Sequence, residues 1–213
     1  MSCYLMVRQA REIVASGALG KINQIHVEFM QDWMTPDSVA DAPHVKWRLD
    51  PKISGPTSCV GDIGTHAAHL AQFVSCLKMT DLRADFHVCG APKQLEDTVF
   101  MTTRYEGDVP GTLMATRLAP GNRGGLRLRI FGSLGGVEWD MESCEQLKLN
   151  IFGQPGTDTE GTMLIFLFSL SSFTVPHTPA NNSPLSSYTP FPGMYSIALA
   201  SLSPGCFIIL LQR

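Results

Sequence analysis

The sequence predicts an α+β fold: an open, predominantly antiparallel sheet with helices packed on one face, followed by an irregular C-terminal tail. Three observations carry this. Two segments repeat apolar residues at helical spacing, several short runs alternate apolar and polar side chains, and Gly-containing turns join those runs closely enough for hairpins.

The first helix is expected over about residues 5–16, with Val7, Ala10 and Val14 on one side and Gly17 as its C-terminal stop. "GKINQIHVEF" then alternates, Ile25, Val27 and Phe29 facing one way and Gln24, His26 and Glu28 the other, as a half-buried strand does. A loop holding Pro36, Pro43, Pro51 and Pro56 leads to a second helix over about 62–77. Strands follow at about 82–89, 97–105, 111–118, 125–132 and 136–140, with turns at "EGD" and "SLGG". "LRLRIFG" is the clearest of them, Leu126, Leu128 and Ile130 inward and Arg127 and Arg129 outward.

Composition divides the chain into an ordinary domain, 1–155, and a Ser/Pro-rich tail, 156–213, expected to be disordered or foreign to the fold. Every charged side chain except Arg213 lies at or before Glu160. The apolar stretches of the tail fall short of the ~20 residues a membrane-spanning helix needs. A net charge of -3, without any basic block, gives nucleic acid nothing to bind. Six scattered cysteines with no Cys-x-x-Cys pair, and a charged start that is no signal peptide, point to a reducing, cytoplasmic setting. No Gly-x-Gly-x-x-Gly follows a strand, so no dinucleotide cradle is expected.

Chemistry concentrates in "VGDIGTHAAHLAQF". On a helical wheel Ile63, Ala67, Leu70, Val74 and Leu77 form the packing stripe, while Asp62, His66, His69 and Phe73 share an edge about a quarter-turn away. Asp62 is expected at or beside the N-cap, one turn from His66, whose ring it would orient. An imidazole so placed can exchange a proton with an alcohol as it becomes a carbonyl. Against this stands a plain structural reading, an ordinary Asp cap and a hydrogen-bonded histidine. A metal on Cys59, Asp62, His66 and His69 is a weaker alternative, because ligands on one helix seldom close a tetrahedral shell.

Residues 47–77, "WRLDPKISGPTSCVGDIGTHAAHLAQFVSCL", closely resemble the segment of the Gfo/Idh/MocA oxidoreductases that carries an Asp-x-Gly-x-His signature, matched by Asp62, Gly64 and His66. The likeness runs over roughly residues 4–150, through the Tyr-Glu-Gly turn and the Gly-Gly-Val-Glu-Trp hairpin. It implies the substrate-binding and oligomerisation domain of an NAD- or NADP-dependent dehydrogenase or reductase of a sugar, polyol or related hydroxy compound. It further implies His66 as general acid/base, Asp62 beside it on substrate hydroxyls, and Trp47, Arg48 and His69 as substrate contacts. A homo-oligomer through the sheet face follows from the same likeness. Departures are a missing Rossmann domain with its Glu-Lys-Pro lysine, a missing last helix, and Pro56 where many members have glycine. The expectation is therefore a truncated chain with little activity alone; the alternative is a non-catalytic dimerisation or interaction module.

Overall fold

The structure is a computed structural model that describes residues 3–36, 39, 42–91, 93–152 and the strand segments 162–165, 187–188, 196–203 and 206–212. Its elements run α1 (Leu5–Ala15), β1 (Ile22–Met30), α2 (Pro43–Leu49), α3 (Pro51–Ser54), a π-helical turn (Val60–Gly64), α4 (Thr65–Ser75), β2 (Met79–His87), β3 (Thr98–Tyr105), β4 (Val109–Thr116), β5 (Gly125–Gly132), β6 (Gly135–Asp140) and β7 (Leu147–Ile151). Beyond these come β8 (Thr162–Ile165), β9 (Ser187–Tyr188), β10 (Ser196–Ser203) and β11 (Cys206–Gln212).

Eight strands form one sheet in the order β2-β3-β4-β1-β5-β6-β7-β8. All neighbours are antiparallel except β1 and β4, which run parallel with Ile25 opposite Gly111 and Met30 opposite Thr116. The hydrophobic alternation is the reason: Ile25, Val27 and Phe29 of β1, Val99 and Met101 of β3, Leu113 and Ala115 of β4, and Leu126, Leu128 and Ile130 of β5 are all buried on one face. Helices α1 and α4 cover that face with Met6, Val7, Ala10 and Ile13 and with Ala67, Leu70, Ala71 and Val74. Gly111 permits the closeness of β1 to β4, since a Cβ there would stand 2.5 Å from the Ile25 carbonyl oxygen and 2.8 Å from the Tyr105 ring. Gly17, at φ +76°, ends α1 as expected.

Several expectations are corrected. The second helix does not begin at Asp62 as an N-cap: α4 starts at Thr65, and Asp62 lies inside the π-helical turn with its own amide donating to the Ser58 carbonyl at 3.2 Å. It ends at Ser75, with Cys76 in the left-handed region at φ 59°. The proline-rich loop contains α2 and α3, each with proline in its first turn, where the missing N–H costs nothing. Strand β7 was not foreseen. Apart from these corrections, β8 adds to the sheet edge, and β9, β10 and β11 form a three-stranded sheet of their own. Strands β10 and β11 pair antiparallel, with Ser203 opposite Cys206. The rest of 156–213 lies outside the described residues. Among the described residues no helix is long and apolar enough to cross a membrane.

Candidate functional site

The site is built where two parallel strands end. Just past β1 and β4 the chains stay paired, the Gln31 amide donating to Thr116 O at 2.9 Å and the Met34 amide to Arg117 O at 3.2 Å. This carries Trp33 and Arg117 to one edge of the sheet. The π-helical turn arrives at the same edge because the Glu96 carboxylate, itself buried, accepts from the Ser58 amide (2.9 and 3.1 Å) and the Val60 amide (3.0 Å). Glu96 thus does for this helical entrance what an N-cap side chain would do.

Arg117 is the centre of the arrangement, although its side chain is only 1% exposed. Its Nη2 donates to Asp62 Oδ2 at 2.6 Å and to Ser58 O at 3.2 Å, its Nη1 donates to the Ser58 hydroxyl, and the guanidinium lies 5.2 Å from the Trp33 ring centre. Above it opens a cavity of about 340 Å3 whose lining includes Trp47, Arg48, Ser58, Gly61, Asp62 and Arg117. Gly61 packs against Thr57, whose Oγ1 a Cβ there would meet at 2.6 Å. Arg48 stacks over the rings of Trp47 (4.9 Å) and Trp33 (5.8 Å), and the Trp33 indole N–H is fixed on Gln31 Oε1 at 2.8 Å.

Of the side chains singled out in the sequence, Trp47, Arg48 and Asp62 converge on this cavity; His66 and His69 do not line it. Both histidines are exposed on α4. The His66 ring faces Phe29 at the end of β1, with centroids 6.4 Å apart, and His69 stacks on Phe73 at 5.9 Å. Phe73 is itself covered by the Arg11 guanidinium. The expected orientation of His66 by Asp62 is corrected: the Asp62 carboxylate is bound to Arg117 instead.

Cys59 points the other way. It is fully buried, and burial pushes its thiol up to about 12, so it stays protonated and offers neither a thiolate ligand nor a nucleophile. Among the described residues no group of three or more His, Cys, Asp or Glu side chains could hold a metal ion. Nor do these residues fit a nicotinamide dinucleotide: the junction from β1 to α2 carries Trp33 and prolines where a phosphate cradle needs glycines and a long helix N-terminus. What the described residues bring together at this cavity is one indole face, two guanidiniums and a carboxylate.

Sequence reasoning missed Arg117, Glu96, Asp97 and Trp33. A faint signal existed, for "LEDTVF" and "LMATR" set acids immediately before, and a cation immediately after, an apolar strand. Charged residues adjoining buried strands are seldom left unpaired.

The fold is an α+β domain whose mixed sheet carries two helices on one face and ends at a polar cavity lined by Asp62 of the Asp-x-Gly-x-His turn. The pattern of the GFO/IDH/MocA C-terminal domain matches residues 7–138, and the chain belongs to that family. It is 29% identical over 154 residues to the uncharacterized oxidoreductase YfiI of Bacillus subtilis, covering 71% of this chain and 39% of that protein. It is 23% identical over 183 residues to levoglucosan dehydrogenase of Pseudarthrobacter phenanthrenivorans, covering 75% of this chain and 45% of that one. The crystal structure of an inositol dehydrogenase homolog from Azotobacter vinelandii, complexed with NADH and myo-inositol, superposes with a TM-score of 0.62 at 29% identity, covering 71% of this chain and 38% of that one. The chain thus spans less than half the length of these relatives.

Proposed function

We propose that this domain binds a sugar, polyol or related hydroxy compound for an NAD- or NADP-dependent dehydrogenase or reductase. The single observation behind the reading is the convergence of Trp47, Arg48 and Asp62 on one open cavity, from α2 and the π-helical turn. An indole face suits the C–H side of a sugar ring, and charged groups suit its hydroxyls. Asp62, pinned by Arg117, accepts from substrate hydroxyls with its remaining lone pairs. His66, exposed one turn further on, takes the proton of the reacting alcohol or returns it to a carbonyl. His69 contacts the outer part of the substrate.

The nicotinamide belongs to a dinucleotide-binding domain, and no hydride step is assigned to the residues described here. By itself the domain binds but turns over little. Its working place is a reducing, cytoplasmic one, in keeping with the free and exposed Cys3, Cys76 and Cys89. A second copy of the chain covers the outer face of the sheet, where Phe100 and Phe131 stand exposed among charged pairs. That face also favours the second reading, a non-catalytic interaction module.

Titration of the chain with myo-inositol, followed by NMR at the His66 ring and the Trp47 indole, tests the proposal. Saturable shifts at both, weakened about tenfold by Asp62→Asn, are expected for loss of one charge-assisted hydrogen bond. A chain that dimerises but shows no saturable shift with any polyol overturns the substrate-binding reading in favour of the interaction module.

A further inference from the structure

We infer that the compound bound here carries a carboxylate, as an aldonic or uronic acid does, and that Arg48 is its anchor. The inference rests on the proposed sugar or polyol site and narrows its substrate class. Among the described residues three charged side chains line the cavity, and they are not equally engaged. Asp62 and Arg117 are bound to each other at 2.6 Å, and Arg117 is further occupied by Ser58. Arg48 meets only ring faces, Trp47 at 4.9 Å and Trp33 at 5.8 Å, and no carboxylate among the described residues pairs with it.

Stacked on indole, a guanidinium is held in orientation by its flat face while its N–H edge stays open. That edge is a planar fork of donors matched to the two oxygens of a carboxylate. A neutral hydroxyl, which both donates and accepts, can be met by the lone pairs Asp62 keeps free, whereas the charged fork of Arg48 is fully used only by an anion. Among the described lining residues, two guanidiniums against one carboxylate leave a single positive charge. This balances a monoanionic acid and falls short of a phosphate ester, which carries about 1.5 to 2 negative charges at neutral pH. A volume of about 340 Å3 lies near the small end of ligand pockets, about 300–1,000 Å3, and suits a single sugar ring.

Galacturonate, galactose and galactose 6-phosphate form a matched set of probes, titrated calorimetrically into the full chain. Galacturonate is expected to bind about ten- to a hundredfold more tightly than galactose, the range a charge-assisted hydrogen bond supplies. Arg48→Met should bring that ratio close to one, and Arg48→Lys, which keeps the charge without the planar fork, should retain part of it. Arg48 stands half-buried on the surface of α2, and circular dichroism of both variants checks that they fold. Galactose binding as tightly as galacturonate, a ratio unchanged in Arg48→Met, or the phosphate ester binding best would each overturn the inference. If galactose binds and galacturonate does not, the inference alone falls; if no probe binds, the sugar-site reading falls with it.

Discussion

Beneath the cavity and on the outer face of the sheet the protein uses the same kinds of charged residue in opposite ways. Beneath the cavity, Glu96, Asp97 and Arg117 are buried, the Lys93 side chain is nearly so, and each charged group is met by specific partners. Asp97, with no exposed surface, accepts from Lys93 Nζ at 2.5 Å, from the amides of Cys89 (3.0 Å) and Gly90 (3.1 Å), and from the Thr98 hydroxyl (2.9 Å). On the outer face Arg127 bridges Glu28, Asp140 and Glu142, Arg129 adds to Glu28, and Lys148 pairs with Glu138, all partly in water. The difference teaches that burial, rather than the number of ion pairs, decides what a charge does for a fold. A buried pair locks geometry because breaking it strands a charge in a poor solvent; an exposed pair exchanges one set of partners for water at little cost.

The sharpest way to break this comparison is Asp97→Asn. The change leaves the Lys93 ammonium, only 6% exposed, without its counter-charge, and loss of one partner of a buried pair costs about 3–5 kcal/mol. Thermal or urea unfolding should show it. The pH dependence follows with a definite sign. Burial pushes the Asp97 carboxyl up, but Lys93, the Cys89 and Gly90 amides and the Thr98 hydroxyl outweigh burial and hold it below the ordinary carboxylate value. The unfolded chain therefore takes up the proton first, so stability is full above about pH 4, the unfolded pKa, and declines as pH falls through the folded value. Asn at 97 should flatten that acid limb; an unchanged limb would mean that the buried pair is not what fails in acid.

Arg117→Met comes next in size. Asp62 is half in water and can be rehydrated, but the buried Ser58 hydroxyl loses its donor and its carbonyl loses one of its contacts. Leaving such groups unsatisfied costs about 1–3 kcal/mol. Freed from its partner, the Asp62 carboxylate should also lose its fixed position at the cavity. Polyol affinity should then fall along with stability, whereas an effect on stability alone would remove Arg117 from the site.

How much of this could be read from the sequence follows the same division between local and distant partners. The stripe Ile63, Ala67, Leu70, Val74 and Leu77 and the alternation of β1, β3 and β5 are local, and those inward positions are buried except Leu77, which lies past the end of α4 and is half-buried. Asp62 and His66 were legible as exposed positions at the start of that helix for the same reason. The parallel pairing of β1 with β4 was not, because it is imposed by strands on both sides rather than by a turn. Nor was the π-helical turn: one added residue in a helical entrance leaves the apolar pattern intact, yet it moves Asp62 from a cap onto Arg117, 55 residues away in sequence. The helices inside the proline-rich loop were hidden by prolines that open a helix as readily as they break one.

The smallest effect is expected on the outer face, and it is the most discriminating. Arg127 is held charged chiefly by its hydrogen bond to Asp140 at 2.7 Å, with Glu28 adding to it, but its side chain is 37% exposed. Its removal in Arg127→Ala should cost no more than about 1 kcal/mol, the range of exposed pairs. It also uncovers Glu28 and Asp140 beside Phe131 and His26, whose rings lie 6.0 Å apart, on the face proposed to meet a second copy. Sedimentation at several protein concentrations separates the two consequences. A cost that does not vary with concentration belongs to the chain itself, and one that grows as the protein associates belongs to the interface. An Arg127→Ala monomer as badly destabilised as Asp97→Asn would erase the contrast between the two faces.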